Sequence, residues 1–192
     1  MTGNPSNSPS GDSDDEFFKR RSDLLRRFFA GATEYVFATR LGVPDPPLID
    51  YLTALLVRFV ASDSIYSLRS PQGKRLCQVA DMLAEANARQ GTARRIAHRH
   101  IGDFTLFWSG VFPEIAESNR RTGTKDSLLD YQRQGKRNYY LASTLPAAEE
   151  SAPDDVLTRL SDSFELCVYG LGEVRRQWDN RSGDEELPLL LG

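Results

Sequence analysis

Apolar positions recur at helical spacing along most of the chain, and no alternating run is long enough to predict a sheet. The densest stretch is residues 93–114, ARRIAHRHIGDFTLFWSGVFPE, with both histidines, one of the two tryptophans and three of the ten phenylalanines. Ile96, His100, Asp103, Phe107 and Val111 form one stripe at this spacing. Ala97, Ile101, Phe104 and Trp108 form the stripe beside it. So wide an apolar face predicts a helix packed on more than one side.

Other segments give similar signals. Ser13 followed by Glu16 reads as a capping box opening helix one, whose apolar positions include Phe17, Phe18, Leu24, Leu25, Phe28, Phe29, Ala32 and Val36. Gly31 is expected either to divide this helix or to allow a close neighbour. Asp45 before Pro46 is a cap-then-proline start for helix two, which carries Leu48, Tyr51, Leu52, Leu55, Leu56 and Phe59, with Arg58 the only charge in its second half. Ser70-Pro71 repeats the signal ahead of helix three. Helix five is expected from near Lys125 to Pro146, and helix six as one run from Leu157 to Trp178, bent slightly at Gly170 and Gly172. The expectation is an all-α, single-domain bundle of five to seven helices. It spans 15–181, between a polar disordered tail at 1–14 and a flexible C-terminal tail at 182–192 whose Leu187 and Leu191 bound a short apolar run.

Composition narrows the classes. At 192 residues and 40% hydrophobic content the chain can bury one substantial core. A formal net charge of -3 argues against a dedicated nucleic-acid binder. The first residues lack the apolar core of a secretory signal, and no apolar run reaches the ~18 residues of a membrane span, so a cytoplasmic location with no membrane association is expected. Cys77 and Cys167 read as reduced thiols on apolar helix faces.

The candidate polar site is His100 with Asp103, three apart on one helix and within mutual reach, joined by His98, Arg99 and Tyr139. Asp103 is expected to accept a hydrogen bond from His100 or to pair with an arginine. Gly102 is expected to serve close packing rather than to leave ligand space. His98 and His100 diverge by about 200 degrees, so they do not share an ion. No His-Glu-x-x-His spacing, repeated Glu-x-x-His motif, phosphate loop or nucleophile elbow occurs, and no metal or cofactor is expected. Arg94, Arg95, Arg99, Lys136 and Arg137, with Tyr131, Tyr139 and Tyr140, are candidates for an anion pocket.

His100-Ile101-Gly102-Asp103-Phe104 followed by Phe112-Pro113-Glu114 resembles a segment of uncharacterised all-helical bacterial proteins. The resemblance implies one structural unit and no activity, cofactor or partner. The functional expectation is a protein-interaction or structural module, with the aromatic width of helix one suited to a homo-oligomer or a protein partner. The alternative is a protein binding a small anionic ligand or a metal, with or without enzyme activity, near His100 and Asp103.

Overall fold

The computed structural model describes residues 11–61, 66–114, 117, 125–126, 129–148 and 151–181. The two expected tails, apart from residues 11–14, and Leu187 to Leu191 lie outside the described residues, as do the side chains of Ser13, Glu16, Phe17 and Phe18. Among the described residues the chain forms an all-α bundle of seven α-helices: α1 (Gly11–Glu34), α2 (Pro46–Ala61), α3 (Val79–Ala88), α4 (Gly91–Gly110), α5 (Tyr131–Ser143), α6 (Asp154–Asp162) and α7 (Phe164–Arg181). A π-helical segment, Tyr35–Arg40, continues α1.

The central element is α4, which packs against α2, α3, α5 and α7. Its wide apolar face supplies Ala97, Ile101, Phe104, Leu106 and Phe107 to the core. From α1, Leu25, Phe28, Phe29, Ala32 and Val36 bury one stripe, with Phe29 and Phe28 at 4.5 and 5.8 Å from the ring of Trp178 on α7. The helix runs unbroken through Gly31, and nothing lies within 4 Å of the position a Cβ would take there. Neither sequence expectation for Gly31 is met. In the π-helical segment the amide of Leu41 donates to the carbonyl of Val36 at 2.9 Å. Phe37 is buried and packs over Gly170.

Three boundaries differ from the sequence reading. Ser70-Pro71 opens a turn, not a helix: Ser70 Oγ accepts from the amides of Gln72 and Lys74, and Gly73 closes the turn at φ 79. Proline and a left-handed glycine at these positions are turn chemistry, and this local bond competes with helix. Helix α5 starts at Tyr131, where Asp130 caps it by accepting from the amides of Gln132 and Arg133. The expected sixth helix is two helices joined at Ser163, whose carbonyl accepts from the amide of Cys167. Serine is a poor interior helix residue and a good terminus. Gly170 and Gly172 lie inside a continuous α7. Cys77 is exposed and outside any helix, contrary to the expectation, whereas Cys167 is buried; both are free thiols.

Two glycines let α5 approach α4 and α7. A Cβ at Gly102 would lie 2.8 Å from the ring of Tyr139, and one at Gly135 would lie 2.2 Å from Phe164. Both rings are fully buried and have no room to retreat. Gly102 therefore serves packing, as expected. Gly102→Ala gains about 1 kcal/mol of helix propensity but forces an overpacked core costing roughly 1–3 kcal/mol. We expect a net loss, read as a lower denaturation midpoint; a rise in the midpoint would mean that the Tyr139 contact does not limit this position.

Candidate functional site

On α4, Arg99 and Asp103 lie one turn apart on the same face. On α2, Tyr51 and Arg58 lie two turns apart and so share a face as well. From α5 comes Tyr139. These three helices converge on the Asp103 carboxylate, which is 1% exposed. Tyr51 and Tyr139 donate their phenolic O–H groups to Oδ1 at 2.6 and 2.8 Å. Arg58 Nη2 donates to Oδ2 at 2.7 Å, and Arg99 Nε stands 3.9 Å from the same oxygen. A buried carboxylate is tolerable only when paired and hydrogen-bonded, and this one is both.

Electrostatics lock these protons in place. Burial, then the Asp103 charge and hydrogen bond, push both phenols well above their ordinary value of 10.0, so they remain donors at neutral pH. Burial penalises the Arg58 charge, but Asp103 and the two phenols outweigh it and raise its pKa. Of the two partners expected for Asp103, the arginine is the one found. His100 directs Nδ1 to Ser67 Oγ at 3.2 Å and packs near Phe59 and Phe104.

His98 occupies a separate polar spot. Its Nδ1 lies 2.6 Å from Asn138 Oδ1, and Asn138 Nδ2 donates to the carbonyl of Gln134. Arg94 Nε faces His98 Nε2 at 3.4 Å. The network assigns a neutral imidazole that donates from Nδ1 and accepts at Nε2. Burial, reinforced by the Arg94 and Arg137 charges, lowers the His98 pKa from 6.5 against the opposing effect of Asn138.

The five-cation anion pocket does not assemble as a whole: Lys136, Arg137 and Tyr140 line one surface pocket of about 440 Å³, shared with Asp130 and Glu165, and Arg94, Arg95 and Arg99 are not part of it. Arg95 is buried and donates to the carbonyls of Ala142, Leu145 and Ala152 at 2.6, 2.9 and 2.7 Å, pairing also with Asp154 at 2.7 Å. It closes the C-terminus of α5, where carbonyls lack helical partners. Lys136 pairs with Glu165 at 2.9 Å. Tyr131 is buried with its hydroxyl on Asp126, Tyr139 is buried on Asp103, and Tyr140 is exposed. Cys167 is pushed up to about 12 by burial, so it is no thiolate at neutral pH.

Several residues of this polar interior went unread. Tyr51 and Arg58 form the α2 half of the Asp103 centre; Arg58 as the only charge in the second half of that apolar helix was the available signal. Asp126 accepts from the amides of Val79 and Ala80 at 2.9 Å each, capping α3 from a distant loop, and nothing local announces that. Buried Glu173 pairs with Arg40 and, at 2.7 Å, with Arg176. Among the described residues no three His, Cys, Asp or Glu side chains cluster to hold a metal, and no helix is long and apolar enough to cross a membrane.

Asp103→Asn removes the charge opposing Arg58. Breaking a buried pair costs about 3–5 kcal/mol, and the lower end is expected because Arg58 is 33% exposed. Tyr139→Phe deletes one hydrogen bond to a charged acceptor and costs about 1.5–3 kcal/mol. Urea unfolding measures both; a smaller loss for Asp103→Asn than for Tyr139→Phe would contradict a charge-centred network. For His98 the lowered folded-state pKa means that the unfolded chain binds the proton first. Its contribution to stability is thus full above pH 6.5 and falls as pH drops through 6.5 toward the folded value. NMR titration checks it: His98 should stay neutral below pH 6.5, and an ordinary midpoint would refute the buried neutral assignment.

Comparison with protein-family models, curated proteins and solved structures finds no match.

Proposed function

We propose that the protein binds a small anionic molecule at the outer edge of the Asp103 centre, with Arg99 as the anchoring residue. One observation carries this reading. Arg99 Nε is buried and has no hydrogen-bond partner, its closest carboxylate oxygen being the 3.9 Å contact to Asp103. A buried donor without an acceptor costs about 1–3 kcal/mol, and each such group in a folded protein calls for an explanation. Water and a ligand are the two acceptors that meet that need.

The chemistry of this edge favours an anion. Arg58 and Arg99 both face Asp103 Oδ2, at 2.7 and 3.9 Å. The Arg99 side chain is 29% exposed, while its Nε and the Asp103 carboxylate are covered. Guanidinium presents a planar fork matched to carboxylate or phosphate oxygens. Tyr51 and Tyr139 hold Asp103, and Asp103 in turn orients Arg58, so the cations are set in position before any ligand arrives. Ile96, 51% exposed one turn before Arg99 and His100, offers an apolar contact at the same edge.

The metal alternative has no support from side-chain clustering among the described residues. The case for a self-association module weakens as well, because Phe28 and Phe29 are spent on Trp178.

Titration calorimetry with inorganic phosphate, acetate and citrate tests the proposal. We expect saturable binding by at least one of them, and Arg99→Gln should weaken it at least about tenfold, or 1.4 kcal/mol. Arg133→Gln, an equal charge loss on the exposed face of α5, should leave the affinity unchanged. Binding that ignores Arg99→Gln, or no binding by any of the three anions, would overturn the reading.

A further inference from the structure

A cleft of about 420 Å³ runs between α1 and α7, remote in sequence from the Asp103 centre. Its walls include Arg27, Phe28 and Tyr35 from the α1 side and Gln177 and Arg181 from α7, with Gly31 also in the lining. No acidic residue is among its lining residues. Neither Arg27 nor Arg181 makes an ion pair among the described residues, and Arg181 instead lies over the ring of Phe28 at 5.7 Å. By contrast Arg40, Arg89, Arg159 and Arg175 each meet a carboxylate. Two like charges brought to one cleft from separate helices repel each other until an anion sits between them.

Gly31 is the second, independent observation. Helix propensity disfavours glycine within a helix, and packing usually explains one that is found there. At Gly102 and Gly135 it does, since a Cβ would strike a buried ring. At Gly31 a Cβ would meet nothing within 4 Å, so no neighbour in the fold requires the glycine. What its missing side chain keeps open is the cleft itself, where a ligand can come close to the backbone.

The rest of the lining sets the ligand class. Tyr35 is 51% exposed, and Phe28 is buried against Trp178. An exposed tyrosine ring offers a face for a planar group, and the Gln177 amide offers both a donor and an acceptor for its edge. Paired guanidiniums suit phosphate oxygens. The volume is in the ordinary range for small-molecule sites, roughly 300–1,000 Å³. We infer that the α1–α7 cleft binds a phosphate ester carrying a planar ring, with Arg27 and Arg181 on the phosphate and Tyr35 and Gln177 on the ring. A nucleoside monophosphate is the simplest member of this class.

The test uses the full chain, adenosine monophosphate as the probe, and calorimetry beside amide NMR. Binding should shift the Gly31 and Tyr35 amides and the Gln177 side-chain amide. Adenosine alone and inorganic phosphate alone should each bind at this cleft at least about tenfold more weakly. Arg181→Gln should weaken the nucleotide about tenfold as read from the Gly31, Tyr35 and Gln177 shifts, whereas Arg133→Gln on the exposed face of α5 should leave them unchanged. Gly31→Leu should abolish binding while the fold is kept. Gly31→Ala supplies a readout that a damaged fold would not mimic: it should raise Tm by about 2–4 °C while weakening the nucleotide. No shift at these residues, phosphate binding there as tightly as the nucleotide, or full affinity in Gly31→Leu would each overturn the inference.

Discussion

The burial of one carboxylate organises the bundle. Asp103 sits in the middle of α4, the helix that most of the others pack against, and an isolated charge there would be prohibitively expensive. Its compensation comes from outside α4: two phenols and a guanidinium, carried by α2 and α5. Those bonds fix the rotation of both helices about their own axes, because a turn of either would withdraw a donor. Generic apolar contact does not impose that degree of register. The close approach of α5 belongs to the same constraint, since Tyr139 reaches Asp103 by lying flat over Gly102.

Three other buried polar groups follow one pattern. Arg95 ties the end of α5 to the start of α6, Asp126 ties the start of α3 to Tyr131, and His98 ties α4 to Asn138. Each joins elements distant in sequence and satisfies backbone or side-chain groups that would otherwise be buried without partners. The apolar core supplies cohesion, and these ties specify which helix end meets which loop.

This division explains how far the sequence could be read. Helices are local, so the spacing of Leu48, Leu52, Leu55 and Leu56, or of Ile101 and Phe104, discloses them directly. The importance of residues 93–114 and the packing role of Gly102 were legible for the same reason. Local signals misled where two structures share a signature. Ser70-Pro71 suits a turn as well as a helix start, and the deciding residue was Gly73. The period from Leu157 to Trp178 runs through Ser163 unbroken, because the joint keeps both segments facing the core. The partners of Asp103 were hidden for a deeper reason. Tyr51 and Arg58 are about fifty residues away, and only the packing of α2 on α4 brings them in. Spacing along one helix pointed to His100, which turns to Ser67 instead.

Subtracting the architecture changes where function is sought. Two of the groups that look most chemical in the sequence, Asp103 and His98, are among those whose bonding is most complete. A carboxylate already holding two phenols and a guanidinium has little capacity left for a metal or a substrate proton, and a thiol buried like Cys167 is no nucleophile. Among the groups left without a full set of partners, the cations are Arg99 beside the Asp103 centre, and Arg27 with Arg181 across the α1–α7 cleft. Guanidiniums cannot shed their charge to relieve themselves, as a buried lysine or histidine can. Their only remedy is an anion or water. The functional reading therefore rests on cations the fold has not used, and the acidic overall charge of -3 does not oppose it, because recognition depends on the local field rather than the sum.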